Sequence, residues 1–358
     1  MAWTKSPKQD FNKDRRGWKK GKTRKHTKTD EQRIKKIHQE LIQNSKIYFA
    51  GASAIIQKWL EKYPNIKPPH QKFIGRTLKK FGLSKKIQKG RNKGASHYLH
   101  YPAYSIEQLG DSLLEVDFTG KKFIKNKTEP INFIAFSLRK PRKLKHFRRI
   151  TGETANNVIQ ELKRFFRKFE KPKAVKMDNG LAFIGSASGK RSLSKVMIFL
   201  LQEKIIPVFT APRKPWNQAS IEGANSIFTR KFWNRWNFKN IQAINQKLKE
   251  FNESYQWYLH YKVPKIQSRN KKKFIPKIYF IRKVYEDEQN GKGHIEILNE
   301  QIFLSKSYIN LFTLSEWNLK QEQLCIYFEK EQQLKMIKKL SFKINQRSRE
   351  KSLISFVL

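Results

Sequence analysis

The chain has 358 residues, and its 77 Lys and Arg against 29 Asp and Glu leave a formal net charge of +48. A field of that sign attracts polyanions and repels itself in a compact fold, so nucleic acid is the natural partner. Hydrophobic residues at 38% suffice for real cores, which excludes disorder of the whole chain, and two or three domains are expected. A single cysteine, Cys325, excludes an internal disulfide and any zinc site built on a cysteine pair; it fits a reducing compartment and reads as a small core residue. No apolar run approaches the roughly 20 residues of a spanning helix, and the first residues lack the core of a signal peptide. A soluble, cytoplasmic protein without a membrane partner is therefore expected.

Residues 1–28 are a run of Lys, Arg, Gly and Thr without apolar periodicity, read as a disordered basic arm that either touches phosphates or is simply solvated. Three helical patterns follow, Asp30 to Asn44, Gly51 to Lys62 and Pro69 to Phe81. In the third, Phe73, Ile74, Leu78 and Phe81 share a face while Arg76, Lys79 and Lys80 point elsewhere, which suits an all-α helix-turn-helix over 29–84 as well as a plain helical domain. Residues 85–109 read as a linker. Over 110–260 strand-like and helix-like patterns alternate: Leu113 to Phe118, Ile131 to Leu138, Ala174 to Met177 and Ile205 to Phe209 as strands, and Thr151 to Phe169 as a helix. Such alternation predicts a mixed sheet covered by helices. After a basic linker over 261–282, period-two runs over 283–345, among them Ile295-Ile297, Ile302-Leu304, Leu324-Ile326-Phe328 and Leu334-Met336, predict a small β-barrel, and 346–358 is a tail.

The chain is poor in Asp, so the placement of its aspartates is informative. Asp117 lies inside the apolar run Leu-Leu-Glu-Val-Asp-Phe-Thr, and Asp178 ends Ala-Val-Lys-Met-Asp-Asn-Gly. An ionised carboxylate within or capping a buried strand is costly unless a positive charge offsets it, and a bound cation is the obvious one. Glu222 follows a turn-rich approach in which Asn217 can cap a helix whose buried stripe is Ile221, Ala224, Phe228 and Phe232. Glu222, Asn225, Ser226 and Thr229 then share another face. Three carboxylates suit magnesium or manganese, hard ions that prefer oxygen. A pair of ions about 3.5 to 4 Å apart activates an attacking hydroxyl and stabilises the leaving oxygen in displacement at phosphorus. Singly, Asp178-Asn179-Gly180 is also an ordinary turn and Glu222 an ordinary first-turn acid.

Asp-x-Thr on the first strand, Asp-Asn-Gly after a later one, and Pro-Trp-Asn-Gln-Ala-Ser-Ile-Glu-Gly-Ala-Asn together resemble the D,D,E signature of retroviral-integrase-like transposases of bacterial insertion sequences. The resemblance implies a central α/β ribonuclease-H-like core. In it Asp117, Asp178 and Glu222 are catalytic and ligate two magnesium or manganese ions, and Gln218 and Asn225 lie near the DNA end. It further implies 3′-end cleavage and strand transfer into target DNA, with double-stranded DNA as partner and at least a dimer on it, in the bacterial nucleoid. The stretch from Asp178 to Glu222 is longer than usual in the family, and a loop around Gly185 to Lys195 would account for it.

Arg230 and Lys231, further along the same helix, read as phosphate contacts, with a solvated face as the plainer reading. No Gly-rich nucleotide loop is present, and no nucleotide cofactor is expected. A transposase-derived regulator without catalysis and a metal-dependent nuclease that cuts without joining are the alternatives.

Overall fold

The computed structural model describes residues 26–84, 102, 105–106, 112–140, 142–169, 171–185, 189–212, 218–262 and 274–345. The expected arm up to residue 25, nearly all of the 85–109 linker, Asn217 and the 346–358 tail lie outside the described residues. The chain divides into two units, one holding residues up to Asn44 and from Ala50 to Ile87, the other Ser45–Phe49 and everything from Gln88 onward.

The first unit consists of α1 (Lys28–Gln43), α2 (Ala52–Lys62) and α3 (Gln71–Lys80). Thr27 and Asp30 form a reciprocal capping box that starts α1, and Ile34, Ile37 and Leu41 then recur on its buried face. They meet Ile55 and Trp59 of α2 and Ile74 and Leu78 of α3, all buried. Phe81, expected in this core, is 37% exposed just past the end of α3.

The second unit is built on a nine-stranded sheet of order β12-β11-β10-β6-β5-β4-β1-β2-β3. Its strands are β1 (Leu113–Phe118), β2 (Asn132–Leu138), β3 (Leu144–Ile150), β4 (Ala174–Met177), β5 (Ile206–Phe209), β6 (Lys277–Lys283), β10 (Phe312–Asn318), β11 (Gln323–Lys330) and β12 (Gln333–Ser341). β1, β4, β5 and β6 run parallel, and the flanking strands pair antiparallel, so the sheet is mixed. The helices are α4 (Ala155–Lys168), α5 (Leu181–Ile184), α6 (Lys195–Gln202), α7 (Ala219–Lys231) and α8 (Ile241–Tyr258). Alternation along β1 and β2 decides which layer each side chain meets. Leu114, Val116, Ile134 and Phe136 share one core with Val158, Leu162 and Phe165 of α4 and with Val196 and Met197 of α6. On the other face Phe133 and Phe147 pack edge-on and stacked against Phe228 of α7, and Phe147 meets Phe251 of α8. Glu115 and Asp117 therefore face the layer that carries α7.

Two elements lay hidden in the sequence. In β3 Lys145, Arg148 and Arg149 interrupt the apolar positions, and the run reads as a cationic stretch. In α6, Val196 through Leu201 are all buried, so no helical period shows. Between Asp178 and Glu222 lie α5, α6 and β5; the loop expected around Gly185 to Lys195 lies partly outside the described residues, and Ser194 caps the start of α6 by accepting from the Met197 N–H at 3.1 Å.

The C-terminal strands correct the expected barrel and its boundary. The strand Lys277–Lys283, all but its last residue assigned to a linker, is buried and pairs with β5 through Val208↔Tyr279 and Phe209↔Phe280. From Val284 the chain continues as β7 (Tyr285–Glu286), which with β8 (Gly293–Ile297) and β9 (Glu300–Leu304) makes a separate three-stranded sheet. β10, β11 and β12 extend the large sheet rather than closing on β9. An apolar β6 buried on both faces needs neighbours on both edges, and it takes them from β5 and β10. Leu334 and Met336, expected half-buried, are 45% and 51% exposed on the edge strand β12. Cys325, expected as a small core residue, is only half-buried, between the core residues Leu324 and Ile326 on β11. Among the described residues no helix is long and apolar enough to cross a membrane.

Candidate active site

Asp117 sits near the end of β1, opposite Ala135 of β2, and Asp178 directly follows β4, which pairs in parallel with β1. The Asp178 carboxylate accepts from the Gly180 N–H at 2.9 Å, which ties the Asp-Asn-Gly turn to the strand end. A Cβ on Gly180 would lie 3.1 Å from Asp178 Oδ1, so glycine there leaves room for the carboxylate. Glu222 stands in the first turn of α7. Burial, then the charge of Asp178, then that of Glu222 push the Asp117 carboxyl up to about 7, against the hydrogen bonds from Phe118 and Asn225. Burial also raises Asp178, and burial and Glu115 raise Glu222. Of the three acids predicted from the sequence, Asp117 thus feels the charge of both others.

Their chemistry is all oxygen, as a hard divalent cation requires, and a cation would relieve the penalty borne by Asp117. Among the described residues, however, no group of three or more His, Cys, Asp or Glu side chains stands at metal-holding spacing. Asp178 and Glu222 therefore lie within electrostatic reach of Asp117 without forming a closed three-carboxylate cage.

Asn225, expected near a DNA end, donates from Nδ2 to Asp117 Oδ2 at 3.0 Å and to the Phe118 carbonyl at 3.4 Å. It orients Asp117 directly. Gln218 is not on the surface but 5% exposed at the start of α7, and its Nε2 has no hydrogen-bond partner among the described residues. Arg230 is exposed, its Nε donating to the Ser226 carbonyl at 3.4 Å. Lys231 departs from its expected role, because its ammonium donates to the Tyr48 carbonyl at 3.2 Å and lies over the Phe49 ring at 5.4 Å. In the first unit Arg76 and Lys79 are exposed on α3, whereas Lys80 is paired with Glu31 at 2.7 Å.

Sequence reasoning missed the support beneath these residues. Glu115, two positions before Asp117 and on the same face, is buried; its carboxylate accepts from the Ile221 N–H at 2.9 Å and pairs with Lys176 Nζ at 2.8 Å. Gln218 makes no side-chain capping bond, so a strand carboxylate takes over the capping of α7 one residue before Glu222. Beside it, Lys145 Nζ donates to Ser220 Oγ at 2.7 Å, to the Ser220 carbonyl at 2.9 Å and to Ser137 Oγ. On the other side, Arg282 of β6 is buried, donating to Asn179 Oδ1 at 2.9 Å and to the Thr210 carbonyl at 3.1 Å. The only sequence signal for Glu115 is its period-two relation to Asp117.

No protein-family model matches the chain, and no curated protein matches its sequence. Among solved structures it is similar to the catalytic core domain of BIV integrase, with a TM-score of 0.31 and 15% identity over 42% of this chain and 95% of that one. It is also similar to a chain of the simian T-cell lymphotropic virus intasome in complex with PP2A regulatory subunit B56 gamma, with a TM-score of 0.35 and 12% identity over 81% of this chain and 99% of that one. Superpositions this loose leave the functional reading to the residues themselves.

Proposed function

We propose that the chain is a DNA transposase that cleaves 3′ ends of its mobile element and joins them to target DNA, with Asp117, Asp178 and Glu222 as its catalytic acids. The observation that carries this reading is the Asp117 carboxyl, held in a buried strand and pushed up to about 7 by burial with Asp178 and Glu222 beside it. A fold places like charges together in low dielectric chiefly where a cation or a reaction uses them.

Asp117 and Asp178 would hold magnesium or manganese, and Glu222 would complete the ligand set. Bound there as one or two ions, the metal supplies Lewis acidity toward phosphate oxygens and activation of the attacking hydroxyl. Asn225 keeps the Asp117 carboxylate turned toward the site, and Gly180 does the same for Asp178. Glu115 fixes the start of α7 and with it the approach of Glu222. The three-helix unit fits a helix-turn-helix that reads the element ends, with Arg76 and Lys79 on the exposed face of α3. Joining two ends calls for at least a dimer on double-stranded DNA, and the reaction belongs in the cytoplasm of a bacterium, on its nucleoid.

The test is cleavage and joining of labelled duplexes carrying the element ends, with magnesium or manganese, for wild type and Glu222→Gln. Activity lost in the variant while DNA binding persists supports the reading. Cleavage without joining in wild type would make the chain a nuclease, and binding without metal-dependent chemistry a regulator.

A further inference from the structure

A cavity of about 590 Å³ opens at the start of α7, lined on one side by Arg139, Lys140, Lys143 and Lys145 and on the other by Ala219 and Ser220. Lys145, one of its lining residues, has its three N–H donors spent on Ser137 and Ser220. Burial, with Arg139 and Lys143 close by, pushes the Lys145 ammonium down to about 8, although Glu115 acts the other way. Glu115 is itself engaged by Lys176 and the Ile221 N–H. The cations of this cavity thus repel one another, and no acid stands among the described residues that line it. Arg139, Lys140 and Lys143 are exposed, with their heads available to a ligand. The thirteen-residue α7 starts at the same place, its Ile221 N–H already taken by the Glu115 carboxylate, so the free positive charge of the cavity is that of Arg139, Lys140 and Lys143.

We propose that this cavity seats a backbone phosphodiester of DNA, held by Arg139, Lys140 and Lys143 over the start of α7. The inference rests on the reading of the chain as a DNA-processing enzyme and adds where the strand runs. Leu113, at the cavity, and Asp117 are four residues apart on β1, about 13 Å at the usual rise of a strand. A phosphate in the cavity therefore belongs to the same DNA segment as the one presented to the carboxylates, a few nucleotides away. Phosphate contacts of this kind set register and carry no sequence information.

The experiment measures binding of the full chain to a labelled duplex without divalent metal across a range of salt. It compares wild type with the double variant Arg139→Ala, Lys143→Ala and with a control double variant, Lys320→Ala, Lys335→Ala, whose side chains are also exposed. Each lost phosphate contact lowers the slope of log affinity against log salt by about 0.9, so the cavity variant is expected to lose nearly two units and the control almost none. An unchanged slope, or an equal loss in the control, overturns the proposal. Inorganic phosphate should displace DNA from wild type better than chloride of the same ionic strength and lose that advantage in the cavity variant, and an advantage kept in the variant overturns the proposal. Failure of the enzymatic reading is distinguishable: a chain that shows this slope but joins no DNA keeps the cavity and loses the transposase. One that joins DNA with an unchanged slope does the reverse.

Discussion

The Glu115 carboxylate accepts the Ile221 N–H at 2.9 Å, so the strand that carries Asp117 also caps the helix that carries Glu222. Two catalytic candidates far apart in sequence are held to one frame by a single buried side chain. Its partner Lys176 is equally buried, and breaking such a pair by removing one member costs about 3–5 kcal/mol. Glu115→Ala is expected to lower the free energy of unfolding by that order in urea titrations, because Lys176 is left charged and the helix start uncapped. Glu115→Gln keeps an acceptor for Ile221, and paired with Lys176→Met it should recover most of the loss. No recovery in the double variant would mean that the pair does not act as a unit.

Gly180 is needed for space rather than for its backbone angle. A methyl group there would stand 3.1 Å from Asp178 Oδ1, so the carboxylate would have to give way by a few tenths of an ångström. Gly180→Ala should leave the unfolding midpoint within about 1 kcal/mol of wild type, as for ordinary substitutions. Metal-dependent cleavage should fall at least tenfold. Equal activity in the two proteins would show that Asp178 does not need the position it has here.

His146 gives the fold an acid limit. Burial, with Lys168 and Arg148 nearby, pushes its imidazole down to about 3, and its ring packs against Phe169 at 5.0 Å. The folded chain binds this proton less readily than the unfolded one. The stability it contributes is whole above the ordinary pKa of 6.5 and drains as pH falls from there toward 3. Nδ1 of His146 has no hydrogen-bond partner among the described residues, so Phe is a fair replacement. His146→Phe should flatten the loss of melting temperature between about pH 6.5 and 4. An unchanged acid limb would place the titration elsewhere.

Arg282 joins the C-terminal strands to the Asp178 turn through Asn179 Oδ1 and the Thr210 carbonyl, and its Nε donates to the Glu296 carbonyl at 2.7 Å. Arg282→Met strips several buried acceptors of their donor, a loss of about 3 kcal/mol or more. Hydrogen exchange read by mass spectrometry should show faster exchange at 178–180 as well as along β6. Acceleration confined to β6 would make the C-terminal strands an appendage to the candidate site rather than part of its support.

Much of this architecture was legible in sequence. The runs Leu113–Phe118 and Ala174–Met177 are short, apolar and bounded by polar residues, and the stripe Ile221, Ala224, Phe228, Phe232 is buried as its spacing demands. Asp117 and Asp178 stood out because carboxylates are costly within or at the end of a buried strand, and Glu222 stood out only through the motif around it. What stayed hidden depends on tertiary neighbours. Glu115 reads as a polar interruption until α7 lies over it, and Arg282 as one more cation of a basic linker until β6 is seen between β5 and β10. Lys231 has the same spacing as a DNA-facing residue, yet Tyr48 and Phe49, remote in sequence, claim it. The barrel was inferred from period-two runs, which specify strands but not which edge they pair with.

The most direct test of the central claim is single-turnover joining of a precleaved, labelled element end to target DNA with manganese, comparing wild type with Asp117→Asn. The amide keeps the size of the side chain and its place beside Asn225 but removes the charge. A loss of at least about a thousandfold, on the scale of removing a principal catalytic group, with DNA affinity unchanged, is the predicted result. Joining within about tenfold of wild type would contradict the assignment, since a group of that kind contributes more than the corresponding 1.4 kcal/mol or so.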